Sequence, residues 1–130
     1  MKRPIVFAVI IVVVALAGVR AAQQAGFART QLQDQELSVA GRHVVQARAD
    51  FEPGAATGKH THPGEEIGYV LEGKVQITIA GHPPAVFKQG DAIFVPAGAV
   101  HEGKNVGTTA ARILSTYVLE KGKPLSTPVK

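Results

Sequence analysis

The stretch GAATGKHTHPGEEIGYVLEG, residues Gly54 to Gly73, decides how this chain of 130 residues is interpreted. Residues two apart in a β-strand project from the same face, so His60 and His62 are expected to point together. Glu66 has the same parity as His62, and we expect it to return to that face after the intervening turn, with Glu65 pointing away. Two imidazoles and a carboxylate converging from one hairpin suit a divalent metal such as iron or manganese.

A pair of histidines two residues apart is weak support for a metal site by itself, because such pairs also occur by chance on exposed strands. His43, at a strand start, and His82, in a turn of the sequence Gly-His-Pro-Pro, are interpreted as surface residues. The same surface interpretation stays open for His60 and His62 when they are taken alone. Three histidines and one glutamate together would leave two octahedral positions open for water or substrate.

Short runs of alternating or apolar residues surround this stretch, and Gly/Pro turn signals separate them. They predict strands at His43–Phe51, Ile67–Leu71, Lys74–Ile79, Ala92–Val95 and Ile113–Leu119. No stretch after Val19 carries a sustained helical stripe. The sequence therefore predicts an all-β chain, and a single jelly-roll-like barrel is a natural way to hide the edges of its sheets.

A second segment, GDAIFVPAGAVHEGKN from Gly90 to Asn105, carries another histidine between turn residues. Together the two segments resemble the two sequence motifs of the cupin superfamily, and every fixed position of both patterns is occupied. The matching positions of the first motif are Gly54, His60, Thr61, His62, Glu66 and Gly73. Those of the second motif are Gly90, Pro96, Ala97, Gly98, His101 and Asn105.

The resemblance implies that His60, His62, Glu66 and His101 are the ligands of one divalent metal ion. It also implies a jelly-roll barrel, commonly dimeric, so we expect a homodimer. The turn glycines Gly54, Gly73, Gly90 and Gly98 are expected at positive φ, and Asn105 is interpreted as structural. Iron or manganese is favoured on supply and redox use, whereas nickel, copper or zinc would win on affinity alone.

The motifs do not select a reaction, because cupins include dioxygenases, isomerases, decarboxylases, oxalate-degrading enzymes, regulators and storage proteins. The favoured prediction is a metal-dependent enzyme acting on a small organic substrate, by dioxygenase-type oxidation or by isomerisation. Glu66 is its candidate base. The alternatives are an exported cupin that binds a metal or small ligand without turnover, and a module whose metal only stabilises the barrel.

The remaining side chains near the motifs suggest a pocket but no further catalytic group. An apolar pocket lining is expected from residues such as Ile77, Phe87, Phe94 and Tyr117. Each of these is equally an ordinary core residue of a small barrel. Glu102 alternates away from His101 and Tyr69 is expected to pack in its strand, so neither is assigned a catalytic role.

The N-terminus has the three-part plan of a secretory signal peptide. A basic start, Met1-Lys2-Arg3, precedes an apolar run from Pro4 to Val19 and the small residues Ala21-Ala22. The run is shorter than the roughly 20 apolar residues that span a bilayer. We predict cleavage after Ala21 and a periplasmic or secreted mature protein without stable membrane association; an uncleaved anchor is the alternative.

The predicted organisation is a signal peptide over residues 1–21, a linker and N-terminal arm over 22–40, the barrel over 41–120 and a tail over 121–130. The tail is expected to lie across a partner subunit.

The charge of the predicted mature chain is close to neutral. Of the 14 Lys and Arg residues, three fall in residues 1–21, which leaves 11 against 10 Asp and Glu. This near-neutral charge gives no reason to expect nucleic acid as a partner. The absence of cysteine excludes disulfides and thiol chemistry.

Overall fold

The computed structural model describes residues 24–130, and this part of the chain consists of β-strands and connecting turns without a helix. It therefore holds no helix able to span a membrane. The all-β prediction is confirmed. The strands are β1 (Phe27–Glu36), β2 (Arg42–Phe51), β3 (His60–Thr61), β4 (Gly64–Glu72), β5 (Lys74–Ile79), β6 (Ala85–Lys88), β7 (Ala92–Val95), β8 (His101–Asn105), β9 (Ala111–Glu120) and β10 (Thr127–Pro128).

The strands form two five-stranded sheets that face each other across the core. The first sheet has the order β1-β2-β9-β4-β7 and the second has the order β10-β3-β8-β5-β6. All pairings are antiparallel, and several join strands far apart in sequence, such as β2 with β9. This is the predicted jelly-roll arrangement, in which long connections carry the chain from one sheet to the other.

The core is built from the alternating inward positions of both sheets. In β2 the buried side chains are Val45, Ala47, Ala49 and Phe51, which are the four predicted to share one face. A larger cluster surrounds Phe51 and includes Val70, Val75, Ile77, Ile93 and Val95, whereas a smaller one surrounds Tyr117 and Leu119. The candidate site lies where these two clusters meet.

Residues 27–36 differ from the predicted linker and arm, because they form the ten-residue strand β1 along the edge of the first sheet. Only Phe27 and Arg29 in this strand are partly buried, and the other positions are exposed. An edge strand is held by its backbone ladder to one neighbour and needs no continuous apolar face. The apolar alternation that marks the other strands is therefore absent from its sequence.

The C-terminal tail also differs from the prediction, since it packs on its own barrel. Its strand β10 pairs with β3, and the Val129 amide donates to the Lys59 carbonyl at 2.9 Å. This pairing covers the edge of β3 beside the histidine motif. The predicted signal peptide and its cleavage after Ala21 lie outside the described residues.

Candidate metal centre

The four predicted ligands come from both sheets and meet between them. His60 in β3 lies directly opposite His101 in β8 of the second sheet. Glu66 in β4 belongs to the first sheet, where it lies opposite Tyr117 of β9. His62 lies in the connection between β3 and β4. The segment from His60 to Glu66 therefore passes from the second sheet to the first and carries three of the four candidate ligands.

The connection between β3 and β4 depends on a close backbone approach at Gly64. A Cβ atom at this position would lie 1.7 Å from the Val118 carbonyl oxygen of β9, so only glycine fits. The turn of the second motif closes the other side, where the Gly98 amide donates to the His62 carbonyl at 3.0 Å. The predicted positive φ is confirmed at all four turn glycines of the two motifs.

Each of the three histidines is oriented by a hydrogen bond from its Nδ1 to a backbone carbonyl. His60 donates to Gly58 at 2.8 Å and His101 donates to Ala99 at 2.9 Å. His62 donates to the carbonyl of Leu125 in the tail. A carbonyl oxygen only accepts, so Nδ1 carries the hydrogen in each ring and the neutral imidazole keeps a lone pair on Nε2.

The three Nε2 atoms and one carboxylate oxygen converge on a common point. His60 Nε2 lies 3.2 Å from His62 Nε2. Glu66 Oε2 lies 3.2 Å from His62 Nε2 and 3.3 Å from His101 Nε2. The histidines alone form a compact group whose ligand atoms lie within 4.8 Å of one another, and Glu66 adjoins two of them.

This donor set fits a divalent cation. Two ligand atoms that each lie about 2.1 Å from a metal ion, with a right angle between the two bonds, are about 3 Å apart. The observed Nε2–Nε2 and Nε2–Oε2 distances are close to this value. Without a cation, neutral imidazoles of this tautomer would bring lone pairs against each other and against a carboxylate. The three buried histidines can thus hold a metal ion, with nitrogen ligands that suit first-row transition metals.

Glu66 is held as a carboxylate by the groups around it. Burial by itself would raise its pKa, but the imidazoles of His101 and His62 beside Oε2, where a proton or a cation can sit between nitrogen and oxygen, outweigh that effect. Ser115 on β9 adds a hydroxyl that donates to Glu66 Oε1 at 2.7 Å. The pKa of Glu66 consequently lies well below its usual range, so the side chain presents a charged oxygen, Oε2, to the histidines.

Burial also sets the ionisation of the aromatic groups at the site. It lowers the pKa of His60 to about 4, despite the hydrogen bond from this ring to Gly58. It raises the pKa of Tyr117 to about 12, with the Glu66 charge acting in the same direction. Near neutral pH, His60 is therefore a neutral imidazole and Tyr117 is a protonated phenol, whose ring packs edge-on against His62 with the ring centroids 4.7 Å apart.

A cavity of about 30 Å³ adjoins the candidate ligands His60, Glu66 and His101. A volume of this size holds one or two water molecules. Apolar walls enclose it, including Ile77 and Tyr117 as predicted. Phe87 packs at the margin of the core, and Phe94 does not line the pocket: its side chain points outward and is 59% exposed.

The error at Phe94 has a simple cause. The sequence AIFV is apolar at every position and carries no alternation, but β7 is an edge strand with one face in the core, so Ile93 and Val95 turn inward and Phe94 outward. Tyr69 is likewise half exposed, on the outer face of β4. Glu102 alternates away from His101 as expected.

Two groups at the site were missed by the sequence interpretation. Ser115 shares the inward face of β9 with Ile113 and Tyr117, and the alternation ILSTYVL could have placed it there. The Leu125 carbonyl has no sequence signal, because backbone acceptors are the same at every residue. Asn105 is structural as interpreted, since its amide donates to the Thr109 carbonyl at 2.8 Å and its Oδ1 accepts from the Gly107 amide at 2.9 Å.

The jelly roll and the three histidines between its sheets define the class of this protein. Comparison with known proteins finds the same class. Residues 47–117 match the family model described as a cupin domain. This match spans more than half of the chain and contains all four candidate ligands. The chain belongs to the cupin family.

Individual relatives resemble part of this chain. The germin-like protein subfamily 2 member 2 of Arabidopsis thaliana is 37% identical over 79 residues, covering 57% of this chain and 36% of that protein. The dimethylsulfoniopropionate lyase DddQ of Ruegeria pomeroyi is 36% identical over 70 residues, covering 54% of this chain and 33% of that protein. The chain thus spans about a third of the length of these curated relatives.

A solved structure supports the same assignment of the fold. An oxalate oxidase in complex with the substrate analogue glycolate superposes with a TM-score of 0.65 at 29% identity. The superposition covers 80% of this chain and 55% of that chain. The fold of the described residues is therefore shared with part of that oxalate oxidase.

Proposed function

We propose that this protein is a metal-dependent enzyme acting on a small organic molecule, with His60, His62, Glu66 and His101 holding one divalent ion. The observation that carries the proposal is the convergence of three Nε2 atoms and Glu66 Oε2 beside a small cavity. Its relatives include proteins named as an oxalate oxidase and a dimethylsulfoniopropionate lyase, both of which are enzymes.

Iron or manganese is the proposed metal. Three imidazoles and one carboxylate supply both nitrogen and oxygen ligands. Such a set suits metal ions that are harder than those bound by thiolates and softer than magnesium, which prefers oxygen ligands alone. Nickel, copper and zinc also accept these ligands, and affinity alone would favour copper. Supply and redox use favour iron or manganese, with oxidation of the dioxygenase type as the candidate reaction.

When bound, the metal would supply Lewis acidity and, for iron or manganese, redox chemistry at its open positions. The chain itself supplies the surroundings. Ser115 fixes Glu66 through Oε1, which leaves Oε2 to face the histidines. The neighbouring groups that lower the pKa of Glu66 weaken it as a base, so we assign it the ligand role first and proton transfer at Oε2 second. The apolar walls restrict the site to one or two waters.

One observation favours a second candidate, a cupin that binds its metal or a small ligand without turnover. Within residues 24–130, the cavity walls carry only two ionisable groups besides the candidate ligands, Arg29 and Tyr117. Neither is a free acid–base group near neutral pH, because arginine stays protonated and burial raises the pKa of Tyr117 to about 12. Turnover would then depend on the metal and Glu66 alone.

Elemental analysis by mass spectrometry tests the proposal first. The protein is purified without added metal or affinity tag, beside His62→Ala and the exposed-turn control His82→Ala. We expect near one equivalent of iron or manganese in the parent protein and in His82→Ala, and loss of the metal in folded His62→Ala. Equal metal content in all three proteins would contradict the assignment of the site.

Activity is tested on the metal-loaded protein with a panel of small organic acids and alcohols, with and without oxygen. Consumption of a substrate in the parent protein and not in His62→Ala supports the enzyme. A full metal complement with no consumption across the panel supports the second candidate, binding without turnover.

We further propose that the protein is exported and that the chain is cut after Ala21, leaving a periplasmic or secreted form. The support is the basic start and the apolar run before Ala21-Ala22. The intact mass of the protein recovered from cells tests this. A mature N-terminus at Ala22 is expected, and retention of Met1 in a membrane fraction would instead indicate the uncleaved anchor.

The proposed homodimer has support in the outer face of the first sheet. Ile67 of β4 lies directly opposite Phe94 of β7, and Tyr69 follows on the same face. These side chains are 50%, 59% and 49% exposed in the single chain. Adjacent exposed apolar side chains of this size are typical of a protein interface. We propose that a second copy covers them.

A further inference from the structure

Arg29 on the edge strand β1 faces the candidate site but has no part in the proposed metal chemistry. In the β1–β2 register it lies opposite the buried residue Ala49, and Phe27 lies opposite the buried Phe51. Both β1 side chains therefore turn inward, toward the core. Arg29 lines the cavity that also contacts His60 and Glu66.

Two aromatic rings hold the guanidinium group in place. Its Cζ atom lies 5.5 Å from the centroid of Phe27 and 5.8 Å from the centroid of Tyr117. Contacts of this kind are made with the delocalised cation and do not use up its N–H donors, which can still bind an anion. The arginine is therefore oriented before any ligand arrives.

One donor of Arg29 lacks an acceptor. Its Nε is shielded from solvent and has no hydrogen-bond partner. Among residues 24–130, no salt bridge includes Arg29, and the phenol of Tyr117 beside it is neutral. A buried donor without an acceptor costs free energy that a ligand with acceptor oxygens would recover.

Arg29 also stands between the inner cavity and the outside. Together with Phe27, Thr57 and His60, it lines both that cavity and an outer groove of about 470 Å³. Lys59 forms another wall of the groove, and the tail supplies Ser126, Pro128 and Val129. No acidic side chain of the described chain lines the groove, so an anion in the groove meets two cations, and the carboxylate of Glu66 lies only in the inner cavity.

We infer that Arg29 is a specificity-determining residue that binds a carboxylate of the substrate at the inner end of this groove, beside the metal site. The substrate class is therefore small carboxylic acids in their ionised form. The planar guanidinium matches the two oxygens of a carboxylate. Lys59 adds attraction along the approach, at an exposed position where its effect is weaker. This inference rests on the proposed function for the position of the metal, but the binding step belongs to Arg29.

Titration calorimetry with malonate, and with its neutral analogue malonamide, tests the inference. Each ligand is titrated into manganese-loaded protein and into chelated protein. In Arg29→Gln we expect the affinity for malonate to fall about 10- to 100-fold, because a charge-assisted pair is lost, while the affinity for malonamide changes little. Arg48→Gln is the matched control, since Arg48 projects from the outer face of β2 and is expected to leave malonate binding unchanged.

Arg29→Lys provides a second variant in case Arg29→Gln folds poorly. It keeps the charge and most of the stem but not the bidentate fork, so a smaller loss of malonate affinity is expected. Equal losses for malonate and malonamide, or full malonate affinity in folded Arg29→Gln or Arg29→Lys, would overturn the inference. Tighter binding of inorganic phosphate than of malonate would overturn the assignment to carboxylates.

The same titrations separate this inference from the proposed function. If elemental analysis finds no metal but chelated protein binds malonate through Arg29, the metal enzyme fails and the carboxylate site stands. If the metal is bound and malonate affinity does not depend on Arg29, the carboxylate site fails and the metal site stands.

Discussion

At the scale of single residues, the site is organised by hydrogen bonds on the far side of each ligand. Nδ1 of every candidate histidine donates to a backbone carbonyl, and Oε1 of Glu66 accepts from Ser115. Backbone acceptors move less than side chains, so the rings are aimed before a metal binds. Because the side chains are already oriented, less conformational entropy is lost when a metal binds.

Ser115→Ala tests this organisation. Removal of the hydroxyl leaves Glu66 Oε1 without its donor, so we expect metal affinity to fall about 10- to 100-fold. The metal-free protein should lose about 1–3 kcal/mol of folding free energy at pH 7, because a buried acceptor is left unpaired. Competition with a chelator measures the first change and urea unfolding measures the second. Thr116→Ala, on the outer face of β9, is the control for loss of a hydroxyl, and an equal loss of metal affinity there would contradict the prediction.

The depressed pKa of His60 predicts how the metal-free protein responds to acid. Burial lowers the pKa of His60 from 6.5 to about 4. Below about pH 6.5 the unfolded chain takes up a proton that the folded chain refuses until about pH 4, so stability falls as the pH falls through this window. Between pH 7 and pH 5 we expect the free energy of unfolding to drop by about 2 kcal/mol from this residue.

Urea unfolding in the presence of a chelator, at several pH values from 7 to 5, measures the effect of His60. The His60→Gln variant should show a flatter dependence on pH, whereas His82→Gln, in the exposed turn, should keep the parent slope. A parent slope retained by His60→Gln would show that other groups cause the acid sensitivity.

At the scale of elements, the tail contributes to the candidate metal centre from outside the two motifs. Pairing of β10 with β3 holds Leu125 so that its carbonyl accepts from His62, and its side chain packs against the smaller core cluster. The tail residues also form one wall of the outer groove. A segment too polar to form part of the core thus orients the candidate ligand His62.

Deletion of residues 123–130 tests the role of the tail. His62 Nδ1 then loses its carbonyl acceptor and faces water, so we expect metal affinity to fall about 10- to 100-fold while the two sheets remain folded. Chelator competition and circular dichroism measure the two properties. Leu125→Ala is the matched control, because it removes side-chain packing but keeps the carbonyl. If Leu125→Ala weakened metal binding as much as the deletion, packing and not the hydrogen bond would be the cause.

At the scale of the whole molecule, the candidate centre joins the two sheets, since β3 and β8 supply histidines and β4 supplies Glu66. The opposite surface of the first sheet carries the exposed pair Ile67 and Phe94. The molecule therefore has a polar centre inside and an apolar face outside, on the same strand β4. The inner face serves the site, and the outer face is the proposed dimer contact.

Phe94→Lys tests the dimer. A charge in the middle of an apolar interface would be desolvated without a partner, so we expect the variant to be monomeric where the parent is dimeric. Light scattering coupled to size-exclusion chromatography gives the mass of each. The control is Val86→Lys, at an exposed position on β6 at the edge of the other sheet. A parent protein that is already monomeric, or a Phe94→Lys variant that remains a dimer, would contradict the prediction.

The sequence by itself determined what is local. Period-two alternation identified β2 and β5, turn glycines marked the ends of strands, and the parity of His60, His62 and Glu66 indicated one shared face. The motifs around them indicated the family and its jelly roll. These features are readable because each depends on neighbours a few residues away.

Only the tertiary structure decided what depends on contacts across the chain. It made residues 27–36 an edge strand, turned Phe94 outward, and set Ser115 and the Leu125 carbonyl behind the ligands. It also placed Arg29, 31 residues before His60, at the mouth of the cavity. Such placements follow from the register between strands distant in sequence and from backbone groups that are chemically alike at every residue. Neither leaves a pattern in the order of the amino acids.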